Sequence, residues 1–219
     1  MPVARRFDYP YNVSMILTLD RFGFPFVRLT AGGSVALLPL LKVQFEWVYG
    51  NVNGPATIDY DACLTLNRRG GWHTAAIGPL DPLVLTGLLP DEATAIAAAF
   101  GDRRLPTPEE WRETDAALDV PMPRLDRDKL LTLRGLHPAA ALIVQRPKMT
   151  RWRDLGAGYL EWVRTADGFG LYGDPRPDFD LNWLNNRRQP TPMIPRKLDR
   201  HRSHTVRFFR FATAEGYRS

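Results

Sequence analysis

The first fifty residues alternate short apolar runs with turn-forming residues. Residues 13–19, 24–29 and 35–49 are rich in β-branched and aromatic side chains and are bounded by Asp, Gly or Pro. That pattern predicts three strands, with Ala31-Gly32-Gly33-Ser34 as the turn before the third. Residues 43–48 also fit a short helix. Residues 50–55 and Arg68-Arg69-Gly70-Gly71 read as loops.

Two helices carry fuller signatures. The first is predicted over residues 90–100. Pro90 suits a first helical position, where its missing N–H has no intrahelical partner to lose. Asp91 and Glu92 complement the positive end of the helix dipole. Ala93, Ile96, Ala97 and Phe100 make one apolar face, and Gly101 supplies the stop. The second opens at Thr107-Pro108-Glu109-Glu110. Thr107 is the N-cap and Glu110 sits at N3, a capping box in which each side chain bonds the other's backbone N–H. This helix carries Trp111 toward the core and stops before Pro121. Residues 130–133 and 140–144 are candidate strands or short helices, and loops dominate after residue 150. Residues 206–211 alternate and predict a closing strand.

With no repeat and no low-complexity tract, residues 1–219 read as one domain with a single core. Nineteen Pro, seventeen Gly and six Trp, spread along the chain, suit a loop-rich core anchored by large rings. A single cysteine, Cys63, cannot form an internal disulfide and lies in an apolar run, where it reads as a small buried hydrophobe. The basic start of the chain lacks a following apolar stretch, so a cytoplasmic protein without a membrane span is expected. The formal net charge of +5 favours anionic partners, nucleic acid among them, or simply reflects a solvated basic surface.

Three segments carry a family resemblance. Arg104-Leu105-Pro106-Thr107-Pro108-Glu109-Glu110-Trp111 looks like the RLPTEAEWE segment of the formylglycine-generating-enzyme (sulfatase-modifying-factor) superfamily. Residues 154–162, ending in Glu161-Trp162, resemble its GNVWEW segment, and residues 202–210 resemble its closing strand. The resemblance spans residues 85–212 in the family's order. It implies an α+β, C-type-lectin-like fold: a small twisted antiparallel sheet, at least two helices and long ordered loops. Arg104, Thr107, Glu110, Trp111, Glu161 and Trp162 are expected to be structural: caps, core anchors and, for Arg104, a pair with a carboxylate.

The catalytic members of that family bind copper through paired cysteines late in the chain. No cysteine follows Cys63 here, so the resemblance implies a non-catalytic member. Iron-dependent members use histidines. His201 and His204, three apart, are the metal candidates, set in a basic segment and read otherwise as exposed loop residues. A diverged iron- or copper-dependent oxidoreductase is the enzyme alternative. Some members hold calcium through an Asn, in whose place Gly158 stands. The acidic stretch at Asp178 and Asp180 is the remaining calcium candidate, and no cofactor is assigned.

Between Arg187 and Arg210 the chain is basic, with Arg187, Arg188, Arg196, Lys197, Arg200, Arg202, Arg207 and Arg210 against Asp199. In the family this region carries the ligand surface, and in retroelement proteins of the same fold the variable binding residues. Asn182, Trp183, Asn185, Asn186, Arg187, Arg188, Arg200 and Arg202 are therefore the candidate partner-binding residues. Trp, Asn and Arg are common recognition residues. The expected function is a ligand- or protein-recognition module in a bacterial multi-protein system of the retroelement or defence type. Nucleic-acid binding through the basic face is the other alternative, and about half of the arginines from Arg200 to Arg210 are expected to pair with internal carboxylates.

Overall fold

The computed structural model describes residues 5–7, 15–30, 32–52, 83–122, 124–145, 150–156, 159–173, 191–192 and 204–210. They form a mixed α+β structure with two sheets. Strands β1 (Arg5–Phe7), β2 (Met15–Leu19), β3 (Pro25–Arg28) and β4 (Ser34–Ala36) run as an antiparallel meander. The turn from β3 to β4 needs Gly33: its φ is +81°, and a side chain there would strike the Phe209 ring. Two later strands complete this sheet, β5 (Arg103–Arg104) at its edge and β10 (Phe209–Arg210) between β5 and β4.

Residues 35–49 do not form one strand. Strand β4 ends at Ala36, and helix α1 (Lys42–Val52) follows. Pro39 interrupts the extended run. Leu41, Phe45 and Val48, at helical spacing, are fully buried, and the Gln44 side chain accepts the Leu41 N–H at 2.9 Å. Helix α2 (Pro90–Ala99) buries Ala93, Ile96 and Ala97, with Phe100 just beyond its end, as the pattern predicts. Glu92 reaches back to the Leu89 N–H at 2.9 Å. Helix α3 (Pro108–Leu118) has the capping box: Thr107 Oγ1 accepts the Glu110 N–H at 3.3 Å, and Glu110 accepts the Thr107 N–H at 2.8 Å. Of the two ambiguous stretches, 130–133 comprises the last residues of α4 (Arg124–Leu131) and the turn after it, while 140–144 is helical within α5 (Pro138–Val144).

The region after residue 150 departs most from expectation. A 3-10 turn (Trp152–Gly156) leads into a hairpin of β6 (Leu160–Thr165) and β7 (Gly168–Gly173), which is the centre of the second sheet. Leu160, Glu161, Trp162 and Val163 are all buried, so no alternation marked this strand. Strand β8 (Thr191–Pro192) pairs with β7, and β9 (His204–Thr205) pairs in parallel with β6. The sheets are therefore not purely antiparallel. The predicted closing strand is instead divided. The chain leaves β6 after Thr205, donates no strand over residues 206–208, and joins the first sheet at Phe209. Its carbonyls at Val206 and Phe208 accept the Leu40 and Ala36 N–H groups at 2.9 and 2.8 Å. Every residue from His204 to Phe209 is buried, because this segment lies between both sheets.

Candidate functional site

The three segments that carry the family resemblance meet at Glu161. Its carboxylate accepts the Trp111 Nε1–H at 2.8 Å and the Arg207 guanidinium, Nη2 to Oε1 at 2.8 Å and Nε to both oxygens at 3.1 and 3.2 Å. Arg207 Nη1 donates to the Leu37 carbonyl at 3.0 Å. One residue comes from α3, one from β6 and one from the closing segment, and Leu37 follows β4. Gly156, at the end of the 3-10 turn, floors the pair: a Cβ there would overlap Arg207 Nη2. With its acceptors occupied by Trp111 and Arg207, Glu161 ties the three elements together.

Around this pair the helix α3 face presents two further groups. The Trp111 ring lies 5.1 Å from the Tyr172 ring, whose hydroxyl accepts from Arg112 Nη2 at 3.1 Å. Trp111 is half-buried here and does not enter the core as its sequence position suggested, because its indole N–H must reach Glu161 across the helix–sheet boundary. Asp115, one helical turn beyond Trp111, has its carboxyl raised above the usual range. Burial is the main cause, the Glu161 and Asp119 charges add to it, and Arg153 and Arg207 oppose it.

The other predicted structural residues sit as follows. Arg104 grips Glu110 with two hydrogen bonds, Nη1–Oε2 at 2.7 Å and Nη2–Oε1 at 2.6 Å, and lies 3.9 Å over the Phe209 ring. Burial pushes the Glu110 carboxyl up, but the hydrogen bonds from Arg104 and Thr107 together hold it below its ordinary value. Trp162 is fully buried and donates Nε1–H to the Leu88 carbonyl at 2.8 Å. Of the late arginines, Arg207 pairs with Glu161 and Arg210 with Asp102, the latter at 2.8 Å. Next to Arg210, the buried Arg103 pairs with Asp20, and its guanidinium lies 3.8 Å over Phe100. That ring face stands beside Arg103 Nε and Nη1, which have no hydrogen-bond acceptor among the described residues.

His204 is not an exposed loop residue. It is buried on β9 with its ring edge-on to Trp162 at 5.2 Å, and its carbonyl accepts the Gly87 N–H at 2.8 Å. The parallel pairing with β6 turns it inward. Among the described residues no group of three or more His, Cys, Asp or Glu could hold a metal ion. His201, Asn182, Trp183, Asn185, Asn186, Arg187, Arg188, Arg200 and Arg202 lie outside the described residues, as do Gly158, Asp178, Asp180 and Cys63. Residues 174–190 leave the end of β7 at Gly173 and return on β8, where Thr191 pairs with Leu171. Residues 193–203 then run from β8, on one edge of this sheet, to β9 on the other. Gly173 makes the departure: its φ is +137°, and a Cβ would overlap the Tyr159 carbonyl.

Sequence reasoning missed Gly156, Asp115 and Tyr172. The only signals were Asp115 at four residues from Trp111 and Arg207 as a lone charge within Val206-Arg207-Phe208-Phe209, a position that demands a buried counterion. Compared with known proteins, the chain matches no family model, no curated protein and no solved structure. Among the described residues no helix is long and apolar enough to cross a membrane.

Proposed function

We propose that this chain is a non-catalytic recognition module of the formylglycine-generating-enzyme type, on a C-type-lectin-like scaffold. It binds a protein partner in the cytoplasm as one component of a bacterial multi-protein system of the retroelement or defence type. The observation that carries this reading is the second sheet, whose strands β7, β8 and β9 flank residues 174–190 and 193–203 in the sequence. A rigid scaffold that displays connections rich in Trp, Asn and Arg is the usual construction of a recognition surface. The residues of the resembling segments support the same reading, since Arg104, Glu110, Trp111, Glu161 and Arg207 spend their polar groups on one another. The lone cysteine leaves no thiol pair for copper.

The test is affinity capture from native lysate, with and without nuclease, followed by binding measurements on the purified partner. A stoichiometric protein retained after nuclease, and lost with Trp183→Ala and Arg187→Ala, supports the module. Capture that disappears with nuclease, with a salt dependence reduced by Arg200→Glu and Arg202→Glu, replaces it with nucleic-acid binding. Oxygen consumption with a cysteine-containing peptide and copper overturns the non-catalytic part.

A further inference from the structure

We propose that Arg21 and Arg134, carried on two turns that touch, form a docking surface for an acidic segment of a protein partner. This surface lies outside residues 174–203 and is offered to the same protein partner, so it rests on the reading above. Arg21 stands in the turn between β2 and β3. Asp20 fixes that turn: its Oδ1 accepts the Phe22 and Phe24 N–H groups at 2.9 and 2.8 Å, and its carbonyl accepts the Gly23 N–H at 3.1 Å. Arg134 stands in the loop between α4 and α5. The His137 N–H at the end of that loop donates to the Gly23 carbonyl at 2.9 Å, and a Cβ on Gly23 would overlap the Gly135 carbonyl. The two turns are therefore in backbone contact, with Arg21 shortly before Gly23 and Arg134 directly before Gly135.

Both arginines are exposed, and among the described residues neither guanidinium has an ion pair or a hydrogen bond. The carboxylates of the same turn and of α4 are engaged elsewhere: Asp20 by Arg103, Asp126 by Lys129 and Asp128 by Arg124. A free arginine is ordinarily a mobile chain whose ordering on binding costs entropy. Arg21 is ordered beforehand, because its guanidinium lies 4.7 Å from the Phe22 ring centroid and 5.9 Å from that of Trp47. A guanidinium held by rings keeps its planar fork of N–H donors for a carboxylate. The net charge of +5 draws an acidic partner toward it. The rings favour a protein over a nucleic acid. Trp47 already stacks on Phe100 at 5.3 Å and Phe22 already carries Arg21, so they support the cation instead of offering a face to a base. Helix α5, into which the Arg134 loop leads, presents Leu142 at 55% exposure, apolar area that a protein segment can cover.

Titration of the full, isotopically labelled chain with a glutamate-rich octapeptide carrying one leucine tests this by amide resonance shifts at low salt. The same peptide with glutamine in place of glutamate is the control. The expected result is saturable shifts centred on residues 20–24 and 134–137, absent with the glutamine peptide and weakened by added salt. Arg21→Gln and Arg134→Gln should each weaken binding by about fivefold, the upper end for an exposed ion pair. Arg21→Lys keeps the charge but not the fork, so its loss should be smaller. Arg164→Gln should leave the affinity unchanged, although Arg164 is also exposed and also held over a ring, 4.8 Å from Phe169. Absence of saturable shifts, an equal loss in Arg164→Gln, or tighter binding of an octathymidylate at the same amides overturns the acidic-segment surface. A captured protein partner whose affinity falls with Trp183→Ala but not with Arg21→Gln or Arg134→Gln also overturns it, and leaves the recognition module standing.

Discussion

Glu161 and Arg207 form an ion pair 2.8 Å long whose side chains are only 3% and 6% exposed. A pair this buried must have its remaining lone pairs and protons satisfied, and Trp111 Nε1 and the Leu37 carbonyl satisfy them. Removing one partner leaves the other charge buried. Glu161→Gln or Arg207→Met should each cost about 3–5 kcal/mol in urea denaturation. The Glu161→Leu, Arg207→Met double variant should cost less than the sum of the two single changes, and additivity would deny the coupling.

Gly156 carries the guanidinium of that pair on its α-carbon. Gly156→Ala should destabilise by about 1–3 kcal/mol, the usual cost of overpacking a fixed contact. The same change in an Arg207→Met background should cost less, since the overlapping Nη2 atom is gone. Chemical denaturation of the four proteins measures the difference.

Glu110 links Arg104 to the start of α3, and its carboxyl is held below its ordinary value. A lowered folded value means stability that is present above the unfolded carboxyl range, about pH 4.3. That contribution is lost as pH falls through the lower folded value. Glu110→Gln should therefore lower the Tm at pH 7 and flatten its fall below about pH 5. Thermal melts across pH 3–7 check it, and parallel curves for both proteins would contradict it.

Asp115 has the opposite sign. Burial raises its carboxyl, so the folded protein favours the protonated form. Its contribution is full below the unfolded value, about pH 3.9, and is lost as pH rises through the folded value. Asp115→Asn should raise the Tm at pH 7 relative to the unmodified protein, with the gap closing toward pH 3. A lower Tm at pH 7 would mean that the ionised carboxylate is itself a stabilising group beside Arg153 and Arg207.

The legible parts of the fold are those written in adjacent residues. The cap of α3, the Pro90 start of α2, the Gly32–Gly33 turn and the strands before it all rest on interactions within a few positions. Helices α4 and α5 were ambiguous because seven or eight residues hold barely two turns of pattern. The β6–β7 hairpin was missed for a different reason. Its first strand is covered on both faces, so it lacks the alternation by which a half-buried strand is recognised. Residues 206–211 read as an alternating strand, yet the chain is buried throughout from His204 to Phe209 because it crosses from one sheet to the other.

By itself the sequence determined the α+β composition and the local caps and turns, which follow from propensity and short-range hydrogen bonding, and it left Arg207 as one of four arginines of which about half were expected to find an internal carboxylate partner. Only the tertiary structure decided that the partner is Glu161, that Trp111 serves that carboxylate from outside the core, and that His204 turns inward. Those contacts join residues 44, 46 and 50 positions apart. No local pattern encodes which distant groups meet, because burial and sheet register set that choice together.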